Sequence, residues 1–154
     1  MSNLVASRSW LANYQYAHNV AGAGAPVIVW ATVGAAPLEK GVPVTIAAGD
    51  LTVADAASAA IYGITAAAGD IGEVIPVYAA VPDNLFIGKA NAESGTTDYP
   101  FDGSILHDGT EFRVEIDGAV GAEQFRVIGV VPTDDAGDDT VFGRVYFRVM
   151  ESQF

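Results

Sequence analysis

The chain has no cysteine, only two histidines and two methionines, and seven basic residues against nineteen acidic ones. Without cysteine there are no disulfides, no thiol nucleophile and no thiolate-ligated metal, while the compartment stays open. The shortage of Lys and Arg, at a formal net charge of -12, argues strongly against nucleic acid as a partner, because that affinity comes from cations neutralising phosphates. An anionic membrane surface is disfavoured for the same reason. No run approaches the roughly 18 to 20 unbroken apolar residues of a membrane-spanning helix. The opening Met-Ser-Asn-Leu-Val-Ala-Ser-Arg lacks a basic region followed by an apolar one, so no signal peptide is expected.

What is present is a chain of 154 residues, about half of them apolar and 17% charged. That is enough for one domain with a real core and too little for two comfortable ones. Gly (17) and Pro (7) are spread along the chain, which favours many short strands and turns over long helices. The stretch from Gly41 to Tyr78 shows the pattern best, with short apolar runs broken by Gly-Asp turns. Its phrase Thr45-Ile46-Ala47-Ala48-Gly49-Asp50-Leu51 returns as Thr65-Ala66-Ala67-Ala68-Gly69-Asp70-Ile71.

Strands are expected over Val27–Val33, Val42–Ile46 (with Pro43 at an edge or a strand start), Leu51–Ala54, Ile61–Thr65 and Glu73–Ala79. Gly63 inside its run suggests a bulge or a close backbone approach. The Ala-rich Asp55–Ala60 suits a turn of helix at most. Phe112, Val114 and Ile116 alternate with charged neighbours, as do Val145, Phe147 and Val149, so each run has one buried and one solvated face. Another strand follows Gln124. Asp102-Gly103 and Asp108-Gly109 read as turns, and Gly88–Gly103 as a long polar loop of the kind that makes contacts. These nine or ten short strands predict an all-β small sandwich or barrel over residues 26–154.

Residues 1–25 differ. Ser7 to Asn19 is polar and aromatic, with Trp10, Tyr14, Tyr16 and His18, and an Ala/Gly joint follows at 21–25. Such a segment is either an arm that docks on a partner, since Trp and Tyr anchor interfaces, or a strap packed on the domain's own core. Catalytic motifs are absent. His18 and His107 have no ligand partners at metal spacing. Ser104 near His107 lacks a nucleophile elbow, and the Gly-rich pieces match no phosphate loop. Asp134, Asp135, Asp138 and Asp139 form the densest charge cluster. As a calcium site they lack the spacing and closing Glu of the helix-loop-helix loop, and a solvated acidic hairpin is the simpler reading. No cofactor is expected.

Gly41-Val42-Pro43-Val44, Gly49-Asp50-Leu51, Ile61-Tyr62-Gly63-Ile64-Thr65 and Ala68 through Tyr78 together resemble the sheet core of the capsid decoration, or cement, proteins of tailed bacteriophages. The resemblance covers about 40 residues. It implies a β-tulip-like barrel with an extended N-terminal arm and no enzymatic activity. Such a protein binds the major capsid protein on the outer surface of an expanded phage head, often as a homotrimer, and stabilises the shell. Arg8, Trp10, Tyr14 and Tyr16 would then be capsid contacts, and the chain would be made in the host cytoplasm and end in the virion. A carbohydrate-binding sandwich using Trp30, Tyr62 and Tyr99 remains an alternative, as does another virion component of tail or connector. A hydrolase built on His107 is a third.

Overall fold

The computed structural model describes residues 13–20, 25–90, 100–116, 123–130 and 144–154. Among them every regular element is a strand: β1 (Gln15–Asn19), β2 (Ile28–Val33), β3 (Pro43–Ala47), β4 (Asp50–Val53), β5 (Gly63–Thr65), β6 (Val74–Ala79), β7 (Asn84–Lys89), β8 (Phe101–His107), β9 (Phe112–Glu115), β10 (Phe125–Val130) and β11 (Arg144–Val149). The all-β expectation holds. No helix among the described residues is long and apolar enough to cross a membrane.

The central stretch closes on itself. Strands β2-β4-β3-β5-β6 form a five-stranded barrel, antiparallel except for the β2–β4 pair. Closure leaves no edge in this part of the chain. Pro43, which has no amide hydrogen to give a ladder, takes the first position of β3. The repeated phrase makes two different turns. Ala48 (φ 53) and Gly49 (φ 87) form the two-residue loop of the β3–β4 hairpin, whose positive φ angles match the strand twist. In the second copy Gly69 bridges Leu38, and the Asp70 carbonyl accepts from the Glu73 amide at 3.0 Å. At Gly63 a Cβ would lie 2.2 Å from the Tyr78 carbonyl oxygen, so the expected close approach is real and only glycine permits it.

The remaining strands form a six-stranded sheet, β1-β7-β11-β10-β8-β9. It curls until Ala90, just past β7, bridges Val114 of β9. Three expectations change here. Asp102-Gly103 lies within β8, paired with Arg126 and Phe125, and forms no turn. The loop expected over Gly88–Gly103 loses both ends, since Gly88 and Lys89 belong to β7 and 101–103 to β8. Asp55–Ala60 is a turn closed by the Asp55 carboxylate, which accepts from the Ala57 amide and the Ser58 hydroxyl.

The N-terminal arm is corrected as well. Asn13 and Tyr14 pack inside the domain, and β1 pairs with β7, so residues 13–19 belong to the six-stranded sheet. Tyr14 is 1% exposed. Its ring meets Phe125 and Phe147 edge-on at 5.4 and 5.1 Å, an arrangement aromatic quadrupoles favour. Its hydroxyl donates to the Arg113 carbonyl, and burial pushes its phenol well above the ordinary tyrosine range.

Barrel and sheet meet through Tyr78 of β6, which stacks on Tyr16 of β1 at 4.9 Å and touches Phe86 of β7. Around this contact, side-chain amides tie the layers together. Asn84 donates to the carbonyls of Val27 and Ala79, and accepts from the Val27 amide and Asn19 Nδ2. Gln124 accepts from the Ile105 amide and donates to the carbonyls of Asp55, Ala56 and Ser58. Asn13 donates to the Lys40 carbonyl and accepts from the Phe112 amide. Gln153 exchanges two bonds with the Ile46 backbone.

Deleting residues 1–20 therefore removes a core aromatic and an entire strand, and the truncated chain is expected to lose cooperative unfolding in urea. Tyr14→Ala should destabilise the protein by about 3–5 kcal/mol. Tyr14→Phe should cost only about 1–2 kcal/mol, by stranding the Arg113 carbonyl. Denaturant midpoints check both.

Candidate functional site

On the outer wall of the barrel, β2 and β6 run antiparallel with Ile28 opposite Tyr78, Trp30 opposite Pro76 and Thr32 opposite Val74. Directly opposed residues share a face, so one face carries Ile28, Trp30, Thr32, Val74, Pro76 and Tyr78, the last of them covered by Tyr16. Alternation sends Ala31 and Val33 inward. Trp30 is 64% exposed, Val74 59% and Ile28 42%, and Ile71, also exposed, precedes β6. The six paired positions carry no charge, and exposed Asp70 and Glu73 stand at one end. An exposed tryptophan beside aliphatic side chains is of the composition favoured at interfaces.

Of the residues expected to make partner contacts, only Tyr14 and Tyr16 are described. Tyr14 is sealed in the core and offers nothing to a partner. Tyr16 is half-buried under Tyr78. Arg8, Trp10 and the four aspartates Asp134, Asp135, Asp138 and Asp139 lie outside the described residues. Of the sugar-face candidates, Trp30 sits on the apolar stripe, Tyr62 stacks on Phe154 at 4.8 Å, and Tyr99 is outside the described residues. The sequence signal for the stripe was the outward phase of Ile28 and Trp30; its other half, Val74 and Pro76, comes from a strand more than forty residues later.

A second concavity, a cleft of about 680 Å³, lies between the barrel (Leu38, Val42, Val53) and the β8–β9 hairpin (Ile105, His107, Phe112). It does not assemble a Ser–His pair. Ser104 and His107 are three apart on one strand, so their side chains leave opposite faces. His107 Nδ1 accepts from the Gly109 amide. Asp108 is committed to the hairpin. Its carboxylate accepts from the amides of Thr110 and Glu111 at 2.8 Å and from Arg113 Nε at 2.8 Å. The Glu111 amide bond, followed by the Arg113 bond, lowers its pKa from 3.8 to about 2. Among the described residues no group of three or more His, Asp or Glu gathers to hold a metal ion.

Fold and surface thus define an all-β protein of two joined sheets with an exposed apolar stripe. Compared with known proteins, the chain matches no family model and no curated protein.

The Asp108 geometry sets a pH dependence. A carboxyl whose pKa is lower in the fold than in the unfolded chain adds stability above the unfolded value, and this is lost as pH falls through the folded value. Wild type should therefore exceed Asp108→Asn in urea midpoint by a margin that is constant above pH about 5 and shrinks between about 4 and 2. A margin that does not vary with pH would show that the carboxylate charge plays no part in the turn.

Proposed function

We propose that the protein is a non-catalytic structural component that docks on a protein shell, as a capsid decoration protein of a tailed bacteriophage does. The exposed Ile28–Trp30–Val74 stripe carries this reading. Shell stabilisation calls for a rigid domain, an apolar docking patch and a soluble outward face. The closed barrel, the stripe and the acidic balance of the chain provide these. The resemblance of the Gly41–Tyr78 core to decoration proteins supports the same reading, with the major capsid protein as partner, a trimer on the lattice and the virion surface as location. Tyr14 is structural and drops out of the expected contacts, and the barrel wall joins them as a docking surface.

The test is co-sedimentation with expanded capsids that lack the protein. Stoichiometric pelleting is expected. Trp30→Asp should weaken it at least tenfold, as loss of a buried tryptophan anchor does, while leaving the thermal midpoint nearly unchanged, since Trp30 lies outside the core. Failure of the wild type to pellet, or undiminished binding by Trp30→Asp, would overturn the reading. Trp30 also suits a sugar-stacking face, and specific retention on a glycan panel that Trp30→Asp abolishes would favour that module instead.

A further inference from the structure

The chain has seven Lys and Arg residues, and five of them (Lys89, Arg113, Arg126, Arg144 and Arg148) stand on the six-stranded sheet. Two pairs oppose like charges across neighbouring strands: Arg144 faces Lys89, and Arg148 faces Arg126. Directly opposed like charges destabilise a sheet. Among the described residues only one member of each pair meets a carboxylate. Lys89 Nζ meets Glu111 at 3.3 Å, and Arg126 meets Asp102 at 2.7 Å. Among the described residues no carboxylate pairs with Arg144 or Arg148. Arg148 Nε is moreover buried without a hydrogen-bond partner. A guanidinium stripped of water on one side, with a like charge opposite, is a place where an anion gains most.

A cleft of about 370 Å³ opens on the same face, lined by His18, Leu85, Ile128, Gly129 and Tyr146. Its shape follows from two irregularities in pairing. The β1 ladder slips between Tyr16 and His18, and the β10 ladder slips between Val127 and Gly129, leaving Ile128 unpaired and turned outward. Arg148 is not itself a lining residue, but it lies one residue past the Phe147–Phe86 pair, which sets it next to Leu85, beside the cleft. The lining is apolar at Leu85 and Ile128, with an imidazole and a phenol at its margin.

We propose that this cleft binds a carboxylate carried on an apolar body, with Arg148 as the anchoring cation. The planar guanidinium matches a carboxylate with two parallel bonds. Leu85 and Ile128 cover the adjoining hydrocarbon, and His18 and Tyr146 contribute polar groups at the mouth. The site is on the sheet and the Trp30 stripe on the barrel, so it stands or falls independently of shell binding.

Titration of the full chain with hexanoate, followed by amide NMR shifts, tests the proposal. Saturable shifts are expected at His18, Leu85, Ile128, Gly129 and Tyr146, with a Kd near millimolar, as befits a ligand of this size. Hexylammonium should leave these resonances unmoved, and inorganic phosphate should bind at least tenfold more weakly. Arg148→Met should reduce hexanoate affinity at least tenfold and Arg148→Lys about threefold or more, since a point charge cannot replace the fork. If Arg148→Met does not fold, His18→Ala serves, with a loss of about twofold to threefold. Acetyl-Leu-Glu-Leu-amide against its Gln counterpart separates the sources. Tighter binding of the Glu peptide than of hexanoate assigns the site to an acidic side chain of a protein, and the reverse assigns it to a free acid. Absence of shifts, equal shifts with hexylammonium, equal affinity for phosphate, or affinity unchanged by the substitutions would overturn the proposal.

Discussion

Everything in this structure depends on how two sheets are held in register without a covalent tie. Apolar contact alone does not do this, because burial is non-directional and tolerates sliding. The buried amides supply the direction. Asn84 is the fullest case, spending two donors and two acceptors on the start of β2, the end of β6 and Asn19 of β1. Gln124 does the same between β8 and the turn that follows β4. An amide in this position is stabilising only while every bond is made, since an unpaired buried polar group costs about 1–3 kcal/mol. Sliding one layer would break several such bonds at once, and this selects one arrangement among many that bury similar area.

That constraint decides which surface is left over. The barrel interior is filled by Val33, Val44, Leu51, Ile75 and Val77. The sheet covers the Tyr78 end of the β2–β6 wall, through Tyr16. Farther along the same wall Trp30 and Val74 stay exposed. Repacking cannot hide the ring, because the alternation of β2 is locked by Ala31 and Val33 on the inside. The exposed tryptophan is therefore a consequence of closing the barrel and docking it on one side.

The alternating strands were legible in the sequence because burial of one face imposes a period of two. Phe112–Val114 and Val145–Phe147–Val149 emerged as buried rows for that reason. The first strand of the sheet was hidden behind its polar character. As an edge strand it needs little apolar content, so Gln15–Asn19 resembled an arm. Likewise β8 was masked by Asp102-Gly103, a turn dipeptide in isolation that the Arg126 ion pair and the β10 ladder hold extended. Propensity lost to tertiary pairing at both places. The amides could not have been found from the chain at all. A lone Asn or Gln carries no periodic signal, and Asn84 reaches across 57 residues to Val27. The stripe was half legible: Trp30 stood out, but Val74 and Pro76 join it only through a ladder between distant strands.

The charge distribution carries the same logic to the six-stranded sheet. In a chain of net charge -12, cations on a sheet could readily be neutralised, and Lys89, Arg113 and Arg126 are, each by a carboxylate within 3.3 Å. Placing Arg144 and Arg148 opposite cations that are already paired leaves them with surplus positive potential and no acid of the described fold in reach. At position 148 the guanidinium Nε is buried without a hydrogen-bond partner, which costs free energy. Ser104 Oγ is the other buried side-chain atom without a partner among the described residues, and unlike Arg148 it carries no charge, so the cost is greater at position 148.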